Sequence, residues 1–191
     1  MGKKEATPVT FQYADAYTPY GPIVGGETGF AFFTLRPIAS GGFFAMPGNR
    51  HNMPGRAGRN IAGRLDTAHP LPASGKIAHE CLMDYPDDGV MAVGLYFGPN
   101  SCADGPTSNG GGQYYLVCNG ILEVGGKRMA RQSLMHVEPG EAAPSLRAGI
   151  EGAVVLILQF ARPSERPGSS PHALAARDPT AYMQRPEGSG R

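Results

Sequence analysis

The stretch from Gln113 to Lys127, QYYLVCNGILEVGGK, constrains this chain more than any other. Two short runs of aromatic, aliphatic and β-branched residues, 113–118 and 121–124, flank Asn119-Gly120. That pair best tolerates the positive φ angles of a type I′ hairpin turn. A second turn, Gly125-Gly126, follows at once. Apolar runs this short, punctuated by glycine, have the period of strands, and no helix of useful length fits between the turns.

The same rhythm runs along the chain. Strand-like segments fall at 76–83 and 90–97 around a Pro86-Asp87-Asp88-Gly89 turn, and at 128–137 before Glu138-Pro139-Gly140. Two more fall at 145–148 and 153–160, with a turn expected at 149–152. The continuous apolar run at 153–160 reads as a strand buried on both faces. Towards the N-terminus, 9–13 and 30–36 read as strands, the latter turning through Gly41-Gly42 into 43–46 as a hairpin. The 28 glycines and 18 prolines make up about a quarter of the 191 residues, which suits an all-β fold of many short strands.

The length is that of one domain. The expected organisation is an N-terminal arm at 1–28, a β-barrel at 29–160 containing a long Arg/Gly-rich loop at 47–75, and a loose tail at 161–191. A formal net charge of +1 gives no drive towards nucleic acid or acidic membranes, and the longest apolar run is far shorter than a bilayer span. Cys81, Cys102 and Cys118 are odd in number and lack CxxC spacing, so a reducing cytoplasm is the expectation. No apolar segment of the secretory kind follows the lysines of MGKKEATPVTFQ.

Gly120 stands where the motif G(X)5HXH(X)3-4E(X)6G ends, which puts Gln113 on the glutamate position. The two histidine positions fall on Thr107 and Asn109, or on Pro106 and Ser108, with Gly98 as the opening glycine. A second motif, G(X)5PXG(X)2H(X)3N, is matched by Val137-Glu138-Pro139-Gly140, its histidine falling near 143–145 where there is none. In these features residues 98–160 resemble the cupin superfamily. The resemblance implies a double-stranded β-helix, a jelly-roll barrel, and a homodimer. It also implies that the usual metal, held by three imidazoles and a carboxylate, lacks its ligands here. Thr, Asn and Gln offer only neutral oxygens. No cofactor is therefore expected at that place.

If Gln113 points inward, strand alternation carries Tyr115 and Val117 inward, and across the expected turn Val117 faces Leu122 and Tyr115 faces Val124. Such an interior suits a small organic ligand, with Arg36 and Arg147 at its mouth, and equally suits a filled core. A metal-free, ligand-binding protein is the leading expectation. One alternative is a metal-dependent cupin enzyme (oxygenase, isomerase or lyase) whose divalent transition metal is held by His79, His136 and His51 with Glu80, Glu123 or Asp104. The other is a structural or assembly protein with a filled barrel. Whether the chain is an enzyme stays open.

Arg50, Arg56, Arg59 and Arg64 form a second candidate site. Guanidinium forks among glycines suit anions, although GxxxxGK[ST] is absent. Cys118 is expected to face away from the interior as a small hydrophobe, and Cys81 shares a strand face with His79 as a conceivable Cys–His pair. No GxSxG elbow supports serine chemistry. An apolar run such as 30–35, if it lies near a sheet edge, needs covering.

Overall fold

The computed structural model describes residues 9–15, 18–37, 45–49 and 58–163. Two compact units emerge from the contacts: unit 1 takes residues 1–12 and 62–162, and unit 2 takes 13–61 and 163–191. Among the described residues the regular elements are all strands, and no helix is long and apolar enough to cross a membrane. Arg50, His51, Arg56, half of the expected 43–46 strand and nearly all of the tail lie outside the described residues.

Strands β1 (Thr10–Ala14) and β2 (Asn60–Arg64) form a two-stranded sheet. The expected loop at 47–75 therefore contains a strand. Within unit 1, Phe11 is buried and its ring fills the space above Gly63, where a Cβ would meet it. Within unit 2, Asp15 accepts hydrogen bonds from the Arg59 backbone N–H (2.8 Å), from Arg59 Nε (3.0 Å) and Nη2 (3.0 Å), and from the Tyr13 hydroxyl (2.9 Å). The Arg59 guanidinium also lies over the Tyr13 ring, 5.3 Å from its centroid.

The barrel of unit 1 is built from β3 (Ile77–Tyr85), β4 (Val90–Phe97), β5 (Cys102–Asp104), β6 (Gln113–Val124), β7 (Lys127–Ala130), β8 (Leu134–Val137) and β9 (Ser145–Gln159). The sheet runs β3-β4-β9-β6-β7, with β5 on β9 and β8 on β6, all antiparallel. The long strands β6 and β9 each serve two half-sheets. Their residues 113–117 and 155–159 pair between β8 and β4, while 122–124 and 146–148 pair between β7 and β5. The bend between the halves is where the β6–β9 register shifts, between Val117 and Asn119 and again between Gly120 and Leu122.

Two expected turns are therefore absent. Asn119-Gly120 is no hairpin turn but an irregularity inside β6, and 149–152 is the facing part of β9 rather than a loop. The reason is cross-strand pairing: both halves of β6 find their partners on the same strand, which holds the local turn-former in a bulge. The expected strand at 128–137 is in turn split into β7 and β8 at Arg131-Gln132. Residues 30–36 join no ladder despite their composition, and Phe30, Phe32 and Phe33 are exposed.

Both faces of β4 are covered within unit 1. Leu95 and Phe97 point into the interior cluster with Tyr115, Val117, Leu122, Val137, Leu146, Ala148, Ala153, Val155 and Ile157. On the other face, Leu65 is fully buried against Gly94, whose missing Cβ makes its room, and the His69 ring lies tilted against Tyr96, centroids 4.8 Å apart. The Tyr96 hydroxyl donates to Glu80 (2.6 Å). Burial, followed by the adjacent Glu80 carboxylate, drives that phenol well above its ordinary value.

Candidate functional site

Gln113 and Gln159 are cross-strand partners on β6 and β9, so strand register alone brings their amides face to face inside the barrel. Gln113 Nε2 donates to Gln159 Oε1 (2.8 Å) and to the Thr107 carbonyl (3.0 Å). Two residues along the same face, the Tyr115 hydroxyl donates to Gln113 Oε1 (2.8 Å). Gln159 Nε2 donates to Asn109 Oδ1 (2.8 Å) and to the Gly89 carbonyl. Both amide nitrogens thus spend both hydrogens, and both amide oxygens accept. The network is closed.

The expected interior residues come together. Gln113, Tyr115, Val117 and Leu122 each have 0% exposure, and Val124 packs partly buried against the same cluster. A side chain with no accessible surface borders no space that a water molecule could enter. Burial pushes the Tyr115 phenol well above its ordinary value, so it stays a proton donor. Ser108, in the 107–109 segment that contributes to this network, is buried and its hydroxyl lacks a hydrogen-bond partner.

The donors at this place do not fit a first-row metal. Its side chains are neutral amides and a protonated phenol already engaged with one another, and no carboxylate or imidazole stands at the motif positions 107, 109 and 113.

The other candidates lie elsewhere. Arg147 is exposed on β9, on the face opposite Leu146 and Ala148, in register with Glu123 and Cys102. Arg36 is exposed in unit 2. His79 is exposed on β3, while His136 is half-buried on β8, with β4, β9 and β6 between those strands in the sheet. The His136 ring lies tilted against Tyr114, centroids 4.6 Å apart, and its Nδ1 lies 3.4 Å from Glu138. Glu80 is taken by Tyr96, and Asp104 pairs across from Ser145. Among the described residues no three His, Cys, Asp or Glu side chains are grouped as metal ligands. Of the four loop arginines, Arg59 is held by Asp15 and Arg64 is exposed.

Cys118 is buried outside the interior cluster, its Sγ 3.6 Å from the Leu116 carbonyl, and burial pushes its thiol up to about 11 from 9.0. Cys81 and Cys102 are exposed. Two of the three thiols are therefore expected to react with a disulfide reagent in the native protein, Cys118 only after unfolding. Three reactive native thiols would contradict this packing.

The sequence reading missed Gln159, although a polar residue in register with inward Val155 and Ile157 was a usable signal.

No protein-family profile matches the chain, and no curated protein matches it. Solved structures similar to it include the complex of SigE with the anti-sigma ChrR from Rhodobacter sphaeroides. That match has 15% identity and a TM-score of 0.38, and covers 50% of each chain. KdgF from Halomonas sp. is similar at 18% identity over 49% of this chain and 87% of that one, TM-score 0.38. A cupin superfamily protein from Desulfitobacterium hafniense is similar at 12% identity over 50% and 89%, TM-score 0.39. By its own strand arrangement, with two half-sheets sharing the bent strands β6 and β9 around one interior, unit 1 is an antiparallel jelly-roll barrel.

Proposed function

We propose that this chain is a non-catalytic assembly module: a cupin-like barrel with a filled, metal-free interior that works through its outer surface, pairing with a second copy of itself. The observation that carries this reading is the zero exposure of Gln113, Tyr115, Val117 and Leu122 together with the closed amide network. A ligand pocket needs convergent polar groups left free for its occupant, whereas these are spent on each other. Two exposed free thiols suit a reducing, cytoplasmic setting.

The test is Leu122→Ala, followed by urea unfolding. In a filled interior the truncation leaves a cavity and is expected to cost about 3 kcal/mol. A ligand-accessible lumen would merely widen, and a cost below about 1 kcal/mol would refute the filled barrel.

A second reading has one observation in its favour, the buried Ser108 hydroxyl without a partner. In that reading a small organic ligand enters beside residues 107–109, supplies the missing bond to Ser108, and takes over the Gln113 and Tyr115 contacts. Enlarging the interior would then tighten or broaden ligand binding rather than destabilise the fold.

A further inference from the structure

We infer that residues 105–112 are a lid over the amide–phenol network, held shut by the Arg162 guanidinium and biased towards opening by the unpartnered Ser108 hydroxyl. The filled interior is the closed state of that lid.

The segment between β5 and β6 reads GPTSNGGG from Gly105 to Gly112. It lies directly on the network, at the end of the barrel where β6 begins and β9 finishes. A Cβ on Gly105 would collide with the Tyr115 hydroxyl, so the missing side chain lets the backbone close over that phenol. The Thr107 carbonyl and Asn109 Oδ1 each take a hydrogen, from the Gln113 and Gln159 amides respectively. Apart from Pro106 the segment offers no apolar side chain to bury, so hydrogen bonds hold it in place. A segment with few buried apolar contacts opens at low cost. Gly112, whose φ is 97°, joins it to β6 and supplies the hinge.

The chain leaving β9 crosses this segment and ties it to the β3–β4 turn. The Phe160 N–H donates to the Gly112 carbonyl (3.0 Å), and the Phe160 carbonyl accepts from the Gly111 N–H (2.7 Å). Beyond it, Arg162 Nη1 donates to the Asn109 carbonyl (3.3 Å). Its Nη2 donates to the carbonyls of Pro86 (3.1 Å) and Asp87 (2.6 Å), and its backbone N–H to that of Asp88 (2.7 Å). One side chain thus spans two segments, which a planar guanidinium fork can do and a lysine ammonium, a point donor, cannot. Arg162 is itself exposed, so it can be withdrawn without disturbing the interior packing.

Closure has a cost at Ser108. The residue is 3% exposed, and its hydroxyl has no hydrogen-bond partner among the described residues. A buried hydroxyl left unpaired disfavours the closed lid and gains water when the lid lifts. Arg162 and Ser108 therefore act in opposite directions on one movement.

Hydrogen–deuterium exchange of the full chain, read by mass, tests this. Arg162→Ala should speed exchange at 86–90 and 105–113 by at least about tenfold and leave 146–158 unchanged. Arg162→Lys should speed it at the same places, whereas Ser108→Ala should slow it at 105–113. In Arg162→Ala, tetranitromethane should nitrate Tyr115, which the wild-type protein protects; a merely structural contact would not produce that access. Faster exchange throughout the chain, unchanged exchange at 105–113, or a lysine variant as protected as wild type would overturn the lid. So would faster exchange in Ser108→Ala or a Tyr115 that stays protected in Arg162→Ala. Leu122→Ala reports on packing in the other half-sheet, so the filled interior stands or falls separately.

Discussion

Gln113→Ala is expected to lower the stability of this protein by about 4 kcal/mol, a loss of roughly 10 °C in thermal midpoint for a chain of this size. The substitution removes one amide and strands several partners. Tyr115 loses its acceptor and Gln159 Oε1 its donor within a buried space, while the Thr107 carbonyl loses its donor in a partly buried one. Each buried polar group left unsatisfied costs about 1–3 kcal/mol, and a vacated side-chain volume adds to the total. Tyr115→Phe removes a single donor and should cost only about 1–2 kcal/mol. Urea unfolding of both variants checks the ratio. If Gln113→Ala stays within about 1 kcal/mol of wild type, the amide faces open space and the closed network is wrong.

The second large effect belongs to Gly120, at the bend of β6. Its φ of 71° is a left-handed angle, and a Cβ there would collide with the Gly152 carbonyl oxygen and sit 3.0 Å from Ala153 Cα. Both obstacles are backbone atoms of the paired strand β9, so they cannot swing aside as a flexible side chain would. Gly120→Ala is expected to cost about 3–4 kcal/mol, combining the left-handed penalty with overpacking. Gly126 supplies the control, since its φ is 76° but nothing lies within 4 Å of a Cβ added there. Gly126→Ala should cost only the conformational part, about 1 kcal/mol. Equal losses in the two variants would show that the bend is not tightly packed.

That bend also shows how far the sequence could be read. Val117 and Leu122 were expected to share the inner face because a hairpin turn at Asn119-Gly120 would bring them opposite one another. They do share it, by another route. In a regular strand, residues five apart point to opposite faces. The register shift between Val117 and Asn119, one extra residue in β6, switches the parity, so Gln113, Tyr115 and Val117 lie on the same side as Leu122 and Val124. Local turn propensity could not reveal this, because the deciding fact is that both halves of β6 pair with β9.

Gln159 was missed for a related reason. Its role exists only once 113 and 159 are known to be partners, a non-local fact that spacing does not carry. The segment 30–36 was misread from the opposite direction. Aromatic and β-branched composition says that a strand would suit these residues, but says nothing of where a partner would come from. Arg59 was grouped with loop arginines free for anions, whereas Asp15, 44 residues away in sequence, holds it in a forked contact. Most strands of the barrel and its apolar inner face were legible because each depends on local pattern or residue type alone.

The most direct test of the account is the mass of the native protein, purified without a histidine tag and accompanied by metal analysis. A filled barrel is expected to give the bare polypeptide, 20.1 kDa per copy, with metal well below one ion per chain. A stoichiometric transition metal, or a retained organic mass that disappears in Tyr115→Phe, would contradict it.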